Sequence, residues 1–358
     1  MEQGHTKPDT NHRIEFLDSA RGLAAMSVMI FHVILMFNWK VMTLPPKIFI
    51  LLKVIFNGSD AVSFFFVLSG FVLTASIVKL QDNFDYPNYI VRRVFRIYPL
   101  YAASVITAFI ISGGNKTFVF LQEMNIVSTV HQFVGPGWTM GAEIFISLLM
   151  PVFVLTLRHR NMSYVVLLIS LFSYNYLSPF AFHFILGMLI YDLYRSRRQV
   201  LWLDQARYMF VVLPVLMIFY SSRHIAELSP RFTHLILMAE DFMGIGHGNF
   251  FFDLSGIASA AFIIIILQSQ RIQAVLSHAI LAFIGRISFS IYLIHWLVMN
   301  NIPVKKIAQI YPPGALYLVM LIAAVSLITI FISYFTYRFI ELPFINLAKK
   351  LDLRKWIS

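Results

Sequence analysis

Long apolar runs broken by short polar punctuation are the first feature of this chain. A helix crossing a bilayer needs about 20 apolar residues. On that measure the runs predict spans at 17–38, 58–79, 97–113, 138–157, 163–178, 180–195, 208–221, 250–268, 281–300 and 315–339. The apolar stretch 47–57 either extends the second span or lies along the outer interface. The expected fold class is therefore all-α, a polytopic membrane protein of about ten transmembrane helices. The whole of 1–358 is expected to be a single integral-membrane domain with a polar tail at each end and no fused soluble domain. The N-terminal segment MEQGHTKPDTNHRIEFLDSARG is too long and polar for a signal peptide. No small-residue cleavage site follows it, so the first run reads as a retained helix.

Composition sharpens this picture. Hydrophobic residues make up 59% of the chain and charged residues 13%. Soluble domains carry about 25% charged residues, so a bilayer has to solvate what a soluble core of this size could not. The net charge of +11 is scattered through short loops, so nucleic acid is not the expected partner. With the N-terminus inside, lysine and arginine concentrate on the inner side by better than two to one, which places both termini in the cytoplasm. The absence of cysteine removes disulfides, thiolate metal sites and a thiol nucleophile. No His/Asp/Glu set within one span has ligand spacing, and no metal is expected.

Candidate chemistry lies in the charges that interrupt the spans, because an ionisable group inside a bilayer is costly. The first helix carries Asp18, Arg21 and His32. Arg21 and His32 are eleven residues apart, which returns them to nearly one helix face and separates them by roughly 16 Å along the axis. A cation then stands at the inner edge and an imidazole in the outer half. Coenzyme A has a phosphate-rich head and a thin arm ending in the thioester, and it suits that spacing. Imidazole is a general base near neutral pH. The alternative is that Arg21 sets topology and His32 bonds a neighbouring carbonyl, and the residues alone leave both readings open. Arg92, Arg93 and Arg96 precede the third span. Their forks match phosphate oxygens, although a plain positive-inside cluster also explains them.

Glu143, in GPGWTMGAEIF, falls about as deep as His32 and is expected to pair with it, or else to bond an indole or backbone group. Ser69 and Gly70 in SFFFVLSGF suggest close helix packing, or room for an acyl arm. Ser288, Tyr292 and His295 share a face at i, i+4 and i+7. Arg338 and Glu341 read as an interfacial salt bridge.

Taken in order, LDSARGLAAMSVMIFH, FFFVLSGF, RRVFRIYPLY, GWTMGAEIF, FHFILGMLIY with Gly187, ISFSIYLIH and ELP resemble membrane-bound acyltransferase family 3 over about 14–345. These are bacterial envelope enzymes that O-acetylate O-antigens, exopolysaccharides and Nod factors. The resemblance implies an inner-membrane enzyme that moves an acyl group, most simply acetyl from acetyl-CoA, to a hydroxyl of an extracytoplasmic or lipid-linked carbohydrate. It implies that Arg21, His32 and Glu143 act in transfer and that Arg92, Arg93, Arg96 and Ser69 hold acyl-CoA. Asp18, Trp138, Tyr292 and His295 would line the pocket. The implied partners are acyl-CoA, the carbohydrate acceptor, the lipid bilayer and polysaccharide assembly proteins. The TMG within Trp138–Glu143 departs from bulkier residues common in the family. The fused esterase-like domain of some members is also not found, so transfer is expected to proceed alone or with a partner. The competing expectation is a transporter or flippase of lipid-linked or small anionic substrates, which also tolerates buried Arg, His and Glu.

Overall fold

The structure is a computed structural model, and it describes residues 15–80, 84–128, 130–172, 180–196, 213, 215–227, 229–243, 249–310 and 313–351. Among these residues the protein is all helical. The helices are α1 (Glu15–Lys40), α2 (Pro46–Ile55), α3 (Gly58–Leu80), α4 (Tyr86–Ile111), α5 (Thr117–Met124) and α6 (Trp138–Leu155). They continue with α7 (Arg160–Phe172), α8 (Ala181–Arg195), α9 (Ser222–Ala226), α10 (Pro230–Met243), α11 (Asn249–Gln268) and α12 (Gln270–Leu276). The last are α13 (Ala279–Arg286), α14 (Ser288–Asn301), α15 (Val304–Ile310), α16 (Ala315–Thr336) and α17 (Leu342–Lys350), with a π-helical turn, Tyr337–Glu341, between the final two.

Six of these stretches are long and apolar enough to cross a membrane, and seven if α13 and α14, bent by 69°, form one span. The expectation of about ten is thus not reached among the described residues. The predicted span 180–195 is realised as α8, of 15 residues and short of a full crossing, while 163–178 begins within α7 and its part beyond Phe172 lies outside the described residues. The predicted span 208–221 lies largely outside the described residues. The uncertain stretch 47–57 is settled: α2 runs on through Phe56 and Asn57 into α3 as one apolar passage of 35 residues.

Helix α1 is central. It packs against α3, α13, α14 and α16, and α3 in turn packs chiefly on α8 and α11. Their sequences explain the difference in placement. Apolar on every side, α3 is surrounded by protein, with 72% of its apolar window buried, whereas α16 has 28% buried and turns its remaining apolar surface outward. In a bilayer, helices gain little from hydrophobic exclusion and associate by close packing. Two glycine contacts do this. A Cβ on Gly70 would fall 2.0 Å from the Phe184 carbonyl oxygen, and one on Gly187 would fall 2.0 Å from that of Val67, so α3 and α8 cross backbone to backbone. At the inner end of α1, a Cβ on Gly22 would lie 2.7 Å from the Gly285 nitrogen.

Near the outer surface, one carboxylate organises the approach to α6. Buried Glu123 on α5 accepts from the backbone N–H groups of Gln132, Phe133 and Val134 at 2.9, 2.9 and 2.7 Å. Donors that a loop would otherwise leave unpaired are thereby satisfied, and the Gly135–Gly137 turn that starts α6 is held in place.

Candidate active site

The end of the bundle where α1 begins encloses a cavity of about 1200 Å³ between α1, α3, α4, α6 and α14, with α8 and α17 at its rim. Asp18, Arg21, Ser69, Arg92, Arg93, Arg96, Glu143, Ser288 and Tyr292 all face it. Residues from five helices, selected by their charge or polarity in the sequence, therefore converge on one space. Gly22 against Gly285 fixes the inner end of α1 and, with it, the side of the helix that carries Arg21.

Arg21 donates from Nη1 to Asp18 Oδ1 at 3.2 Å, one turn back on α1. Arg96 Nη1 lies 3.0 Å from Oε1 of buried Glu341, and Ser290 donates to Oε2 of that carboxylate at 3.1 Å. The sequence spacing suggested Arg338 as the partner of Glu341. The structure instead draws the carboxylate inward, because the π-helical turn winds Glu341 into the bundle, where Arg96 and Ser290 satisfy it. Arg93 lies over the Tyr89 ring at 5.6 Å and within electrostatic reach of Glu143, Arg96 and Arg21.

Glu143 accepts from the Ser69 hydroxyl at 3.3 Å. That bond settles the two readings of the Ser-Gly pair: Gly70 makes the helix contact and Ser69 faces the cavity. The expectation that Glu143 pairs with His32 is corrected. His32 bonds His295 instead, Nδ1 to Nε2 at 3.1 Å, with the rings inclined by only 13°. Glu143 faces the cavity beside Phe65 and Tyr292, whereas His32 is not among the residues that line it. Both aromatics line the cavity, with centroids 5.5 Å apart. Tyr292 also lies against His295, at 6.1 Å between centroids, and is hydrogen-bonded to Thr139 at 3.0 Å. The cavity thus ends on an aromatic wall with the histidine pair behind it.

The hydrogen bonds fix the tautomers of the neutral pair. His295 Nδ1 is 3.1 Å from the Ile291 carbonyl oxygen, which can only accept. The proton of His295 is therefore on Nδ1, and its Nε2 accepts. His32 must donate through Nδ1, which leaves its Nε2 with a lone pair.

Of the residues expected at the site, Trp138 is displaced. It is 40% exposed and packs on Phe180, so it does not line the cavity. Others escaped the sequence reading. Trp296 stands edge-on to His32 at 5.4 Å, and its buried indole N–H meets no acceptor among the described residues. Thr139 anchors Tyr292. The signals were adjacent: Trp296 follows His295 and Thr139 follows Trp138, but neither is charged and a search for membrane-buried charge passes over them.

Among the described residues the chain is a helical membrane bundle with a basic cavity and a buried imidazole pair. A family model for an acyltransferase domain matches residues 14–338, and the chain belongs to that family. A Staphylococcus aureus (strain COL) protein named "Putative O-acetyltransferase" is 21% identical over 394 residues, which cover 96% of this chain. The chain spans 59% of that relative's length. No solved structure matches. The protein is thus a multi-pass membrane member of an acyltransferase family.

Proposed function

We propose that this protein transfers an acyl group, in the first instance acetyl, from cytoplasmic acyl-CoA to a hydroxyl of an envelope glycan such as an O-antigen or exopolysaccharide, and that it resides in the bacterial inner membrane. The observation carrying this reading is the convergence of Arg21, Arg92, Arg93 and Arg96 on one inner cavity whose far wall, Tyr292, rests on the His295–His32 pair. Arginine forks suit the phosphates of coenzyme A. The cavity is large for a small-molecule site, where roughly 300–1000 Å³ is usual, as an elongated nucleotide donor needs.

His32 serves as the base. With Nδ1–H committed to His295, its Nε2 takes the proton of the attacking sugar hydroxyl. The new C–O bond forms, the thioester C–S bond breaks, and the proton passes from His32 to the departing sulfur. His295 fixes the tautomer, as a second residue does for a catalytic histidine in many acyl-transfer sites. Phe65 and Tyr292 must part for the thioester to reach that nitrogen, so transfer includes a side-chain opening step.

Calorimetry of acetyl-CoA with the full chain in nanodiscs tests the donor. Saturable binding is expected, weakened about tenfold or more in Arg21→Ala, the scale of one charge-assisted hydrogen bond. If acetyl-CoA, succinyl-CoA and free coenzyme A all fail to bind, the reading falls and transport of an anionic substrate takes its place.

A further inference from the structure

Beyond the cavity and the histidine pair, a second set of reactive groups sits on the outer side, where α2 meets α3 and α9 closes over them. Ser59, in the first turn of α3, has its Oγ 3.0 Å from Nε2 of His224. The other ring nitrogen of His224, Nδ1, is 3.1 Å from Glu227 Oε1. The second carboxylate oxygen of Glu227 is held by the buried ammonium of Lys53. A hydroxyl, an imidazole and a carboxylate are thus joined in line through opposite ring nitrogens, the arrangement that activates a serine for acyl transfer.

Helix capping does not account for this set. Asn57 already closes the end of α3: its Oδ1 accepts from the Asp60 N–H at 3.2 Å and its carbonyl from the Ala61 N–H at 3.1 Å. Asn57 Oδ1 also lies 3.1 Å from the Ser59 hydroxyl, so the hydroxyl has a resting partner besides the imidazole. His224 and Lys53 add nothing that the helix end requires. Burial holds His224 below its ordinary pKa, which keeps the ring neutral and able to accept a proton. The partial positive charge of the α3 N-terminus lies beside Ser59, where it would favour a developing oxyanion. Ser59 is partly exposed and the Glu227 side chain is 43% exposed, so the set opens outward.

We infer that Ser59, His224 and Glu227 form a second acyl-transfer site that takes an acyl ester or thioester from the outer side. Ser59 Oγ attacks the acyl carbon and forms a C–O bond. Its proton passes to His224 Nε2 and then to the departing alcohol or thiol as the C–X bond breaks. A hydroxyl of an acceptor, or water, then attacks the acyl-serine, and the proton returns to Ser59 through the same nitrogen. Phe31 packs between the two imidazoles, with centroids 5.7 Å from His224 and 5.8 Å from His32, so a single ring separates this site from the histidine pair.

The test uses the full chain in nanodiscs and needs neither coenzyme A nor a glycan, so its outcome is independent of the proposed donor. A fluorophosphonate, which loses fluoride to an activated serine, is expected to label Ser59 by peptide mass mapping. An unlabelled Ser59 overturns the proposal for the native hydroxyl. The chain contains no cysteine, so a Ser59→Cys variant carries one thiol, and its alkylation by iodoacetamide reports the surroundings of that atom alone. Alkylation is expected to slow about tenfold when Glu227→Gln is added, because the imidazole then loses the carboxylate that supports thiolate formation. Glu227 is half-exposed, so this second variant spares the core. Equal rates with and without Glu227→Gln would show that the three groups do not act together, and the proposal would fail.

Discussion

The two ends of α1 present opposite arrangements of polar groups. At the N-terminal end, five arginines (Arg21, Arg92, Arg93, Arg96 and Arg195) and Glu143 line open space of about 1200 Å³. At the outer end, His32, His295 and Tyr292 are bonded to one another or to neighbouring chain and packed against Phe31, Phe65 and Trp296. The first arrangement leaves room for a large, highly charged guest. The second fixes the proton positions before any guest arrives. Under the proposed function binding and chemistry are therefore separable, and substitutions at the two ends should fail in different ways.

The largest expected effect tests the outer end. His32→Ala should lower turnover by about 10²–10⁴-fold, the range for a positioned general base, with acetyl-CoA affinity in calorimetry nearly unchanged. A parallel loss of affinity would show that the two ends are one site. Next comes the inner end. Arg96→Ala strands the buried Glu341 carboxylate and should destabilise the protein by about 3–5 kcal/mol, read as a lower melting temperature in detergent. Adding Glu341→Gln should restore much of that stability but not acetyl-CoA affinity, which separates the fold role of Arg96 from its role toward the donor. A smaller change, about 1 kcal/mol, is expected for Ser69→Ala. It removes one hydrogen bond to Glu143 and should appear in the acetyl-CoA affinity rather than in the proton-transfer step. The smallest concerns His224, which burial holds below its ordinary pKa of 6.5 despite the opposing pull of Glu227. Below about pH 6.5 the unfolded chain takes up a proton there that the folded chain refuses. That part of the stability is present at neutral pH and falls as the pH drops from 6.5 towards the lower folded value. The decline of melting temperature between pH 7.5 and 5.5 should be shallower in His224→Gln than in the native chain.

How much of this was legible beforehand varied with the physics behind each feature. The predicted spans 17–38, 58–79, 97–113, 138–157, 250–268 and 315–339 each fall on a helix long and apolar enough to cross a membrane, because the bilayer sets a similar length for every crossing helix. The span 180–195 is instead the 15-residue α8, largely apolar yet packed against α3 at Gly70 and Gly187 and too short to cross on its own. The arginine cluster, Ser69, Glu143 and Tyr292, singled out separately in the sequence, line one cavity, since a charge or hydroxyl buried in a membrane helix has to face an interior. Pairing was much less legible. Depth along the membrane normal put Glu143 level with His32, but partners also depend on rotation about each helix axis. That rotation is set by contacts, such as Gly22 on Gly285, between residues more than 260 positions apart. For the same reason Arg96–Glu341 and His32–His295 have no signature in local spacing.

The backbone contact between Gly22 and Gly285 bears on α1 as a mechanical part. Arg21 and His32 ride on one unbroken helix, which resists bending far more than it resists turning as a whole. With glycine on both sides of the contact, the inner end has no side chain to ride over and is clamped against torsion. Turning α1 by one residue's worth of arc would carry Arg21 off the cavity and His32 off His295 together. The helix thus works as a shaft that delivers the angular setting of its clamped end to a ring roughly 16 Å away. A misfit at the clamp would be felt first as a misaimed imidazole.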